Sequence, residues 1–406
     1  MQMQMNQQLD YIQLFEQYGP VCIDLGPGVM IDLSAEFLLS PENPVVTFVI
    51  GGQSITKSGA RADMTDLMLH SEFESRMVSG IPAEPDLDDV ARILEAIRQS
   101  DSTEVVAIGG GSVIDAAKAA WASYQTGLDV SDLFGSGVIS AKFPGREFRR
   151  VIAVPTTAGT GSEVTPYSNI VDRAAGVKRL IADPQIVPRM ALIDPSYGRS
   201  MPDDLTVTTA LDALTHNIEA VLNVGAPETE FASNEWAIQA VRLIRDNLPR
   251  ALRDPNDINA REGLCAAATI GGMQIAARPT SLPHLGSFSF YGKVPHGIAA
   301  SMLLTPFWRY YLAEPKAAER TMLLADVFPS AAPQKTPEDV VNAAAAFIAK
   351  HSGARKLSDL PCFDAAMVAR IASDAVKNPM KLASAPRPVA PEDAAGIISG
   401  ILEQEL

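Results

Sequence analysis

An alternation in the first half of the chain limits its fold more than any other feature. Short apolar runs, each stopped by glycine or proline, are separated by helix-like stretches. Val21–Leu25 stops at Gly26-Pro27-Gly28 and Val45–Ile50 at Gly51-Gly52. Val105–Ile108 stops at Gly109-Gly110-Gly111, Val151–Val154 at Pro155, and Met190–Ile193 at Asp194-Pro195. Runs this short and this apolar are strands buried on both faces. Between them Asp88–Arg98 and Val113–Ser123 carry helical patterning. Buried strands alternating with helices specify a mostly parallel sheet with helices on both sides.

After about Ser200 the texture changes. Leu205–Leu222, Ser233–Leu248, Asn259–Ala277, Ala317–Phe328, Pro337–His351 and Ala365–Ala375 all carry helical periodicity and good helix formers. No strand-like run stands among them. With 406 residues the chain is too long for one ordinary core. The expectation is an α/β domain over residues 1–197 and an all-helical domain over 198–406.

Charge and cysteine content narrow the class. The formal charge is 33 − 48 = −15, which argues against a nucleic-acid-binding surface. Cys22, Cys265 and Cys362 are far apart, odd in number and in no metal-ligand spacing. No disulfide framework or cysteine zinc site is expected, and a reducing compartment is the default. The opening stretch, MQMQMNQQLDYIQLFEQYG, lacks the basic and apolar regions of a signal peptide. No apolar run reaches the roughly 18–20 residues of a membrane span. A cytoplasmic protein is the reading.

Two strand ends carry loops suited to a nucleotide. In Glu104–Lys118, a strand runs through Gly109, Gly110 and Gly111 into a helix that begins near Ser112. Glycines allow close backbone approach, and the helix start offers free N–H groups and the positive dipole end to a pyrophosphate. The pattern is not GxGxxG, and a tight turn capped by Ser112 explains it equally well. The second loop, Pro155–Thr165, places Thr156, Thr157, Thr160 and Ser162 beside two glycines. Its hydroxyls suit ribose, phosphate or carboxamide groups, although polar surface loops of this kind are common. Two such loops at strand ends of one sheet fit a dinucleotide crevice.

The chain has five histidines. Asp212 and His216 are four apart on a helix, hence on one face. Leu211, Leu214 and Ile218 around them indicate burial, where a carboxylate and an imidazole need partners. A hydrogen-bonded Asp–His pair in the core satisfies that need, and so does a metal ion. His284 and His296, beside Pro283 and between Pro295 and Gly297, shift the balance toward the ion. One Asp and three His form a mixed oxygen and nitrogen set suited to Fe2+ or Zn2+ and unsuited to Ca2+ or Mg2+. His70 and His351 read as surface or packing residues.

These residues resemble the iron-containing alcohol dehydrogenases over roughly Cys22 to Ile401. The resemblance rests on GGGSVID (Gly109–Asp115), PTTAGTGSEVT (Pro155–Thr165), DALTHNIEA (Asp212–Ala220), VPHG (Val294–Gly297) and the closing APRPVAPEDAAGI. It implies a dehydroquinate synthase-like fold: a dinucleotide-binding N-terminal domain, a helical metal-binding C-terminal domain, and a site in the cleft between them. It assigns the metal to Asp212, His216, His284 and His296. It assigns NAD(P) to the glycine turn with Ser112 and Asp115, to the threonine loop through Ser162, and a phosphate contact to Lys178. A small alcohol or aldehyde is the implied partner, and a homo-oligomer, a dimer, the implied assembly.

The chain departs from the family pattern twice. Many members carry a further histidine four residues after the position of His284; here it is Phe288, and the stretch to His296 is shorter than usual. After the Val45–Ile50 strand many members place an Asp that suits the ribose 2′-hydroxyl of NAD. Here Gly51-Gly52-Gln53-Ser54 stands instead, with Lys57 beyond. Glycine leaves room for a 2′-phosphate, and Ser54 can donate to it, which favours NADP or dual use. No side chain presents itself as a general base. Two other readings remain: a dehydroquinate synthase-like lyase, which would need several cations near the metal, and a non-catalytic metal-binding homologue.

Overall fold

The computed structural model describes residues 10–38, 44–70 and 73–406. The expectation of no leader rests partly on residues 1–9 and lies outside the described residues to that extent. Among the described residues nine strands form two sheets: β1 Cys22–Leu25, β2 Val45–Gly51, β3 Glu74–Ile81, β4 Glu104–Gly109, β5 Gly135–Ser136, β6 Ile152–Pro155, β7 Tyr167–Asp172, β8 Val177–Ala182 and β9 Met190–Ile193. The larger sheet has six strands in the order β1-β9-β6-β4-β2-β3. Every pairing in it is parallel. All five apolar runs become strands of this sheet.

Both faces of the sheet are covered, and strand alternation sorts the side chains. Val46, Phe48 and Ile50 pack on one face with Val106, Ile108, Val154 and Leu192. Val49, Val105 and Ala107 pack on the other with Val90, Ile93, Ile97 and Ile114. Full burial of side chains such as Phe48 and Ile50 stabilises by about 1.5–3 kcal/mol each. Inside this apolar surface, Thr47 Oγ1 and Ser102 Oγ satisfy each other at 2.6 Å.

Four strands, β3, β5, β7 and β8, escape the sequence reading. β3 is the edge of the large sheet, and most of its residues are exposed, so it lacks an apolar run. β7 and β8 form an antiparallel hairpin, with β5 parallel to β8. The polar residues of YSNIVD and VKRLIA hide their strand character. The hairpin also anchors the helix Leu87–Ser100. Asp86 caps that helix, accepting from Asp89 N at 3.0 Å while Asp89 accepts from Asp86 N, a reciprocal capping box. Asp86 then takes a bond from Arg173, beside β7.

Among the described residues every strand ends by Ile193. Beyond it the chain is helical, including Asp203–Leu222, Asn234–Arg253, Ile258–Ala277, His296–Tyr311 and Pro337–Ser352. By contacts the chain separates into two compact units. One holds Phe15–Thr206 and Pro249–Gly272; the other holds, among the described residues, 10–14, Val207–Leu248 and Met273–Leu406. Most of the helix Ile258–Ala277 therefore groups with the sheet rather than with the other helices. Gly161 explains this: a Cβ there would come within 2.5 Å of Gly272 Cα, so two glycines bring loop and helix backbones into contact. Thr269 Oγ1 adds a bond to Glu163 Oε1 at 2.9 Å. The three cysteines are free. Among the described residues no helix is long and apolar enough to cross a membrane.

Candidate metal centre and nucleotide-binding loops

The glycine turn and the threonine loop are neighbours. β4 ends at Gly109, Gly110 is the N-cap, and the helix Gly111–Thr126 begins directly. Thr156 N donates to Gly109 O at 2.9 Å, which joins the two loops. A Cβ on Gly109 would meet Val113 Cβ at 2.8 Å; one on Gly110 would meet Thr157 Oγ1 at 3.2 Å; one on Gly111 would strike Thr160. Packing within the protein thus requires glycine at 109 and 111 and favours it at 110.

The expected cofactor residues divide by exposure. Ser54 is exposed at the start of the short helix Ser54–Ser58, and Ser112, Thr157 and Thr160 are half-buried. Thr156 is buried. Ser112 Oγ donates to Ala83 O. Asp115 and Ser162 lie inside: Ser162 Oγ donates to Asp115, whose other oxygen accepts from Asn169 N at 2.9 Å. Burial raises the Asp115 carboxyl, opposed by Lys118 and these hydrogen bonds. Lys178, on β8, pairs with Glu84 at 2.9 Å.

Lys118, which the sequence reading passed over, holds this arrangement from behind. It is buried, and its Nζ donates to Ser162 O, to Thr165 O at 2.9 Å and to Tyr167 O at 3.0 Å. Burial lowers its pKa to about 8 against the pull of Asp115 and Glu163. A buried ammonium so bonded makes the loop's back face rigid.

The second cluster is built on the helix Asp203–Leu222. Asp212, His216 and Glu219 succeed one another at helical spacing and face the same way. His284 sits on the short helix Leu282–Ser287, started by Pro283, and His296 opens the helix His296–Tyr311 after Pro295. Gly297 permits the close approach: a Cβ there would strike Thr208 O and lie 2.9 Å from Asp212 Cβ. Asp212 Oδ1 lies 3.4 Å from His284 Nε2, 3.7 Å from His296 Nε2 and 3.9 Å from His216 Nε2. The His216 and His284 rings stack at 4.4 Å.

These separations are long for hydrogen bonds. Asp212 Oδ1 and His284 Nε2 are buried and have no hydrogen-bond partner. Ligand bonds of about 2.0–2.2 Å place neighbouring tetrahedral ligands about 3.3–3.6 Å apart. Asp212, His284 and His296 bring ligand atoms within 4.8 Å of one another, a group that could hold a metal ion, while His216 falls outside that group and meets Asp212 at 3.9 Å. Burial alone would raise Asp212, yet His216, His296 and His284 hold its carboxyl well below the usual range. Burial lowers His216 to about 4, so it stands neutral, as a ligand must.

Glu219, not singled out from the sequence, orients this set. It accepts from His284 Nδ1, from Ser281 N at 2.7 Å and from Ser281 Oγ at 2.8 Å. His296 Nδ1 meets Ser287 Oγ at 3.1 Å. Fixing Nδ1 leaves Nε2 of both rings directed at Asp212. The i, i+7 step from Asp212 to Glu219 was the available signal. Lys381, which no spacing in the sequence ties to the ligands, also lies here. It is buried on the short helix Pro379–Ala383, bonds Thr280 Oγ1 and lies 5.5 Å over the Phe288 ring. Burial lowers its pKa to about 8, against Glu219 and Asp212. His70 and His351 bond carbonyls one turn back on their own helices.

Comparison with known proteins adds an independent line. The family model described as iron-containing alcohol dehydrogenase matches residues 25–195, and that described as the C-terminal region of the Fe-containing alcohol dehydrogenase family matches 206–402. The chain is 32% identical over 261 residues to the probable alcohol dehydrogenase EutG of Escherichia coli, covering 63% of this chain and 64% of that one. It therefore spans less than two thirds of that relative's length. It is 31% identical over 280 residues to an NADPH-dependent butanol dehydrogenase of Clostridium saccharobutylicum, covering 67% and 69%. With an NAD-dependent methanol dehydrogenase of Bacillus methanolicus it shares 35% over 269 residues, covering 62% and 68%. The structure of an iron-containing alcohol dehydrogenase from Thermococcus thioreducens superposes with a TM-score of 0.80 at 26% identity, covering 95% and 99%.

Proposed function

Because the chain belongs to the iron-containing alcohol dehydrogenase family, we propose that it interconverts an alcohol and an aldehyde or ketone, with hydride passing to or from NAD(P). The observation that carries this reading is the convergence of three imidazoles on Asp212 Oδ1 at 3.4–3.9 Å, with buried donors left unbonded. Asp212, His216, His284 and His296 would hold Fe2+ or Zn2+, which would supply Lewis acidity toward the substrate oxygen.

The remaining work falls to the protein. Glu219 keeps the His284 proton on Nδ1, and Ser287 supports His296, so the ligand set needs little reorganisation. Asp212, His216 and His284 are buried, which limits the access of water to them. His296, its side chain 30% exposed, marks the open side where substrate enters. Ser54, the Gly109–Gly111 turn, Ser112, Thr156, Thr157 and Thr160 receive the dinucleotide. The start of the helix Gly111–Thr126 would take the pyrophosphate. Asp115, Ser162 and Lys118 brace that loop from behind. Lys178, paired with Glu84, would supply a phosphate contact on giving up that carboxylate.

Gly52 is exposed, with nothing near the place a Cβ would occupy, and Ser54 and Lys57 are exposed beside it. That surface supports NADP preference or dual use. Relatives named for NADPH and for NAD share similar identity with this chain, in keeping with a readily switched preference. A cytoplasmic homodimer, with residues 1–197 serving the cofactor and 198–406 the metal, completes the proposal.

The test pairs metal analysis with turnover. The purified protein should oxidise NADPH or NADH with short aldehydes and lose that activity to a chelator. His284→Ala and His296→Ala should each lose bound metal and turnover together. Survival of both properties in either variant would refute the assignment.

A further inference from the structure

Lys381 is a buried cation without a matched anion. Among the described residues its ammonium bonds only a neutral hydroxyl, Thr280 Oγ1. The carboxylates whose charge reaches it are Glu219 and Asp212. Glu219 is already engaged by Ser281 N, Ser281 Oγ and His284 Nδ1. Asp212 stands among three imidazoles. An ammonium taken out of water is costly unless it is paired and fully hydrogen-bonded, and this one retains two N–H groups for another acceptor.

Its position gives that spare capacity a direction. The side chains of Asp212, His216 and His284 are 6% exposed or less, and that of His296 is 30% exposed. Phe288 is half-buried and stacks on His296 at 5.8 Å with an interplanar angle of 15°. Lys381 Nζ lies 5.5 Å above that same Phe288 ring. The open side of the metal cluster is therefore walled by an aromatic face, with a cation over it. Such a wall suits a short carbon chain that ends in an anion.

We infer that Lys381 anchors a carboxylate on the substrate, so that the preferred substrate is a short aldehyde, or the matching alcohol, bearing a carboxylate a few carbons from the reacting oxygen. The inference rests on the alcohol dehydrogenase reading. The competing role for Lys381 is a counter-ion to Glu219 alone. That role would weaken neutral and acidic substrates equally when the lysine is lost.

The test compares succinic semialdehyde with butanal, two four-carbon aldehydes that differ by a terminal carboxylate; malonic and glutaric semialdehydes vary the reach. The wild-type holoenzyme should favour the acid-bearing aldehyde at least tenfold in kcat/KM. Lys381→Met should lower that ratio at least tenfold, chiefly through KM, and Lys381→Arg should restore part of it. A wild-type ratio near one for all three acids, or a ratio unchanged in Lys381→Met, overturns the inference. Calorimetric binding of butyrate to the holoenzyme provides a readout independent of turnover. Tenfold weaker butyrate binding in Lys381→Met supports the anchor even if no aldehyde is reduced, in which case the dehydrogenase reading fails alone. Equal butyrate binding in both proteins defeats the anchor while leaving that reading in place.

Discussion

Replacing Glu219 by glutamine tests whether His284 is held in its ligating tautomer. The two side chains are nearly the same size, so packing is preserved. The new amide would keep a carbonyl for Ser281 N and Ser281 Oγ, the two bonds of 2.7 and 2.8 Å. Its nitrogen would then face His284 Nδ1. Two donors cannot share that contact, so the ring moves its proton to Nε2, the atom 3.4 Å from Asp212 Oδ1. A protonated Nε2 has no lone pair for a metal. Burial alone would raise Glu219, but His284 and Ser281 N hold it below the usual range, so the native group is an anion at neutral pH. The substitution removes that charge as well. Loss of such an outer partner typically costs 10–100-fold in metal affinity, about 1.4–2.7 kcal/mol. Competition with a chromogenic chelator at pH 7 measures it. The thermal midpoint should also gain less from added metal than in the wild type. A metal Kd within twofold of the wild-type value would refute the tautomer argument.

Three further substitutions have expected outcomes. Gly52→Asp has room for its side chain and should shift cofactor preference toward NAD by about 1–3 kcal/mol; strong native selectivity for NAD, unchanged by the substitution, would defeat the argument. Gly161→Ala puts a Cβ within 2.5 Å of Gly272 Cα at a φ of +63°, so it should destabilise by about 2–4 kcal/mol. An unaltered thermal midpoint would show that loop and helix do not meet as described. Asp86→Ala removes a helix cap worth about 1 kcal/mol. Burial opposes ionisation of Asp86, but Arg173 and the Asp89 amide hold its pKa below the usual 3.8. A depressed folded-state pKa gives stability present above the unfolded value and lost as pH falls through the folded one. The deficit of the variant in urea unfolding should therefore shrink between pH 7 and the acid limit of the fold. A constant deficit would contradict this.

The strands of the large sheet are legible in the sequence wherever both faces are buried, because such burial forces an apolar run: VVTFVI can be read for that reason. β3 cannot, since an exposed edge strand keeps its polar residues. The step from Asp212 to His216 is legible because helical spacing alone puts them on one face, and Glu219 continued the same spacing unread. The relations between distant segments come from tertiary packing alone. The grouping of the helix Ile258–Ala277 with the sheet depends on Gly161 meeting Gly272. The inward role of Asp115 and Ser162 depends on a buried lysine that bonds both loop and hairpin. The placement of Lys381 over Phe288 depends on a short helix near the C-terminus reaching the metal cluster. Periodicity reports which face of an element is buried, and it carries no information about which other element covers that face. That choice is made by packing, and packing set the 3.4–3.9 Å separations around Asp212.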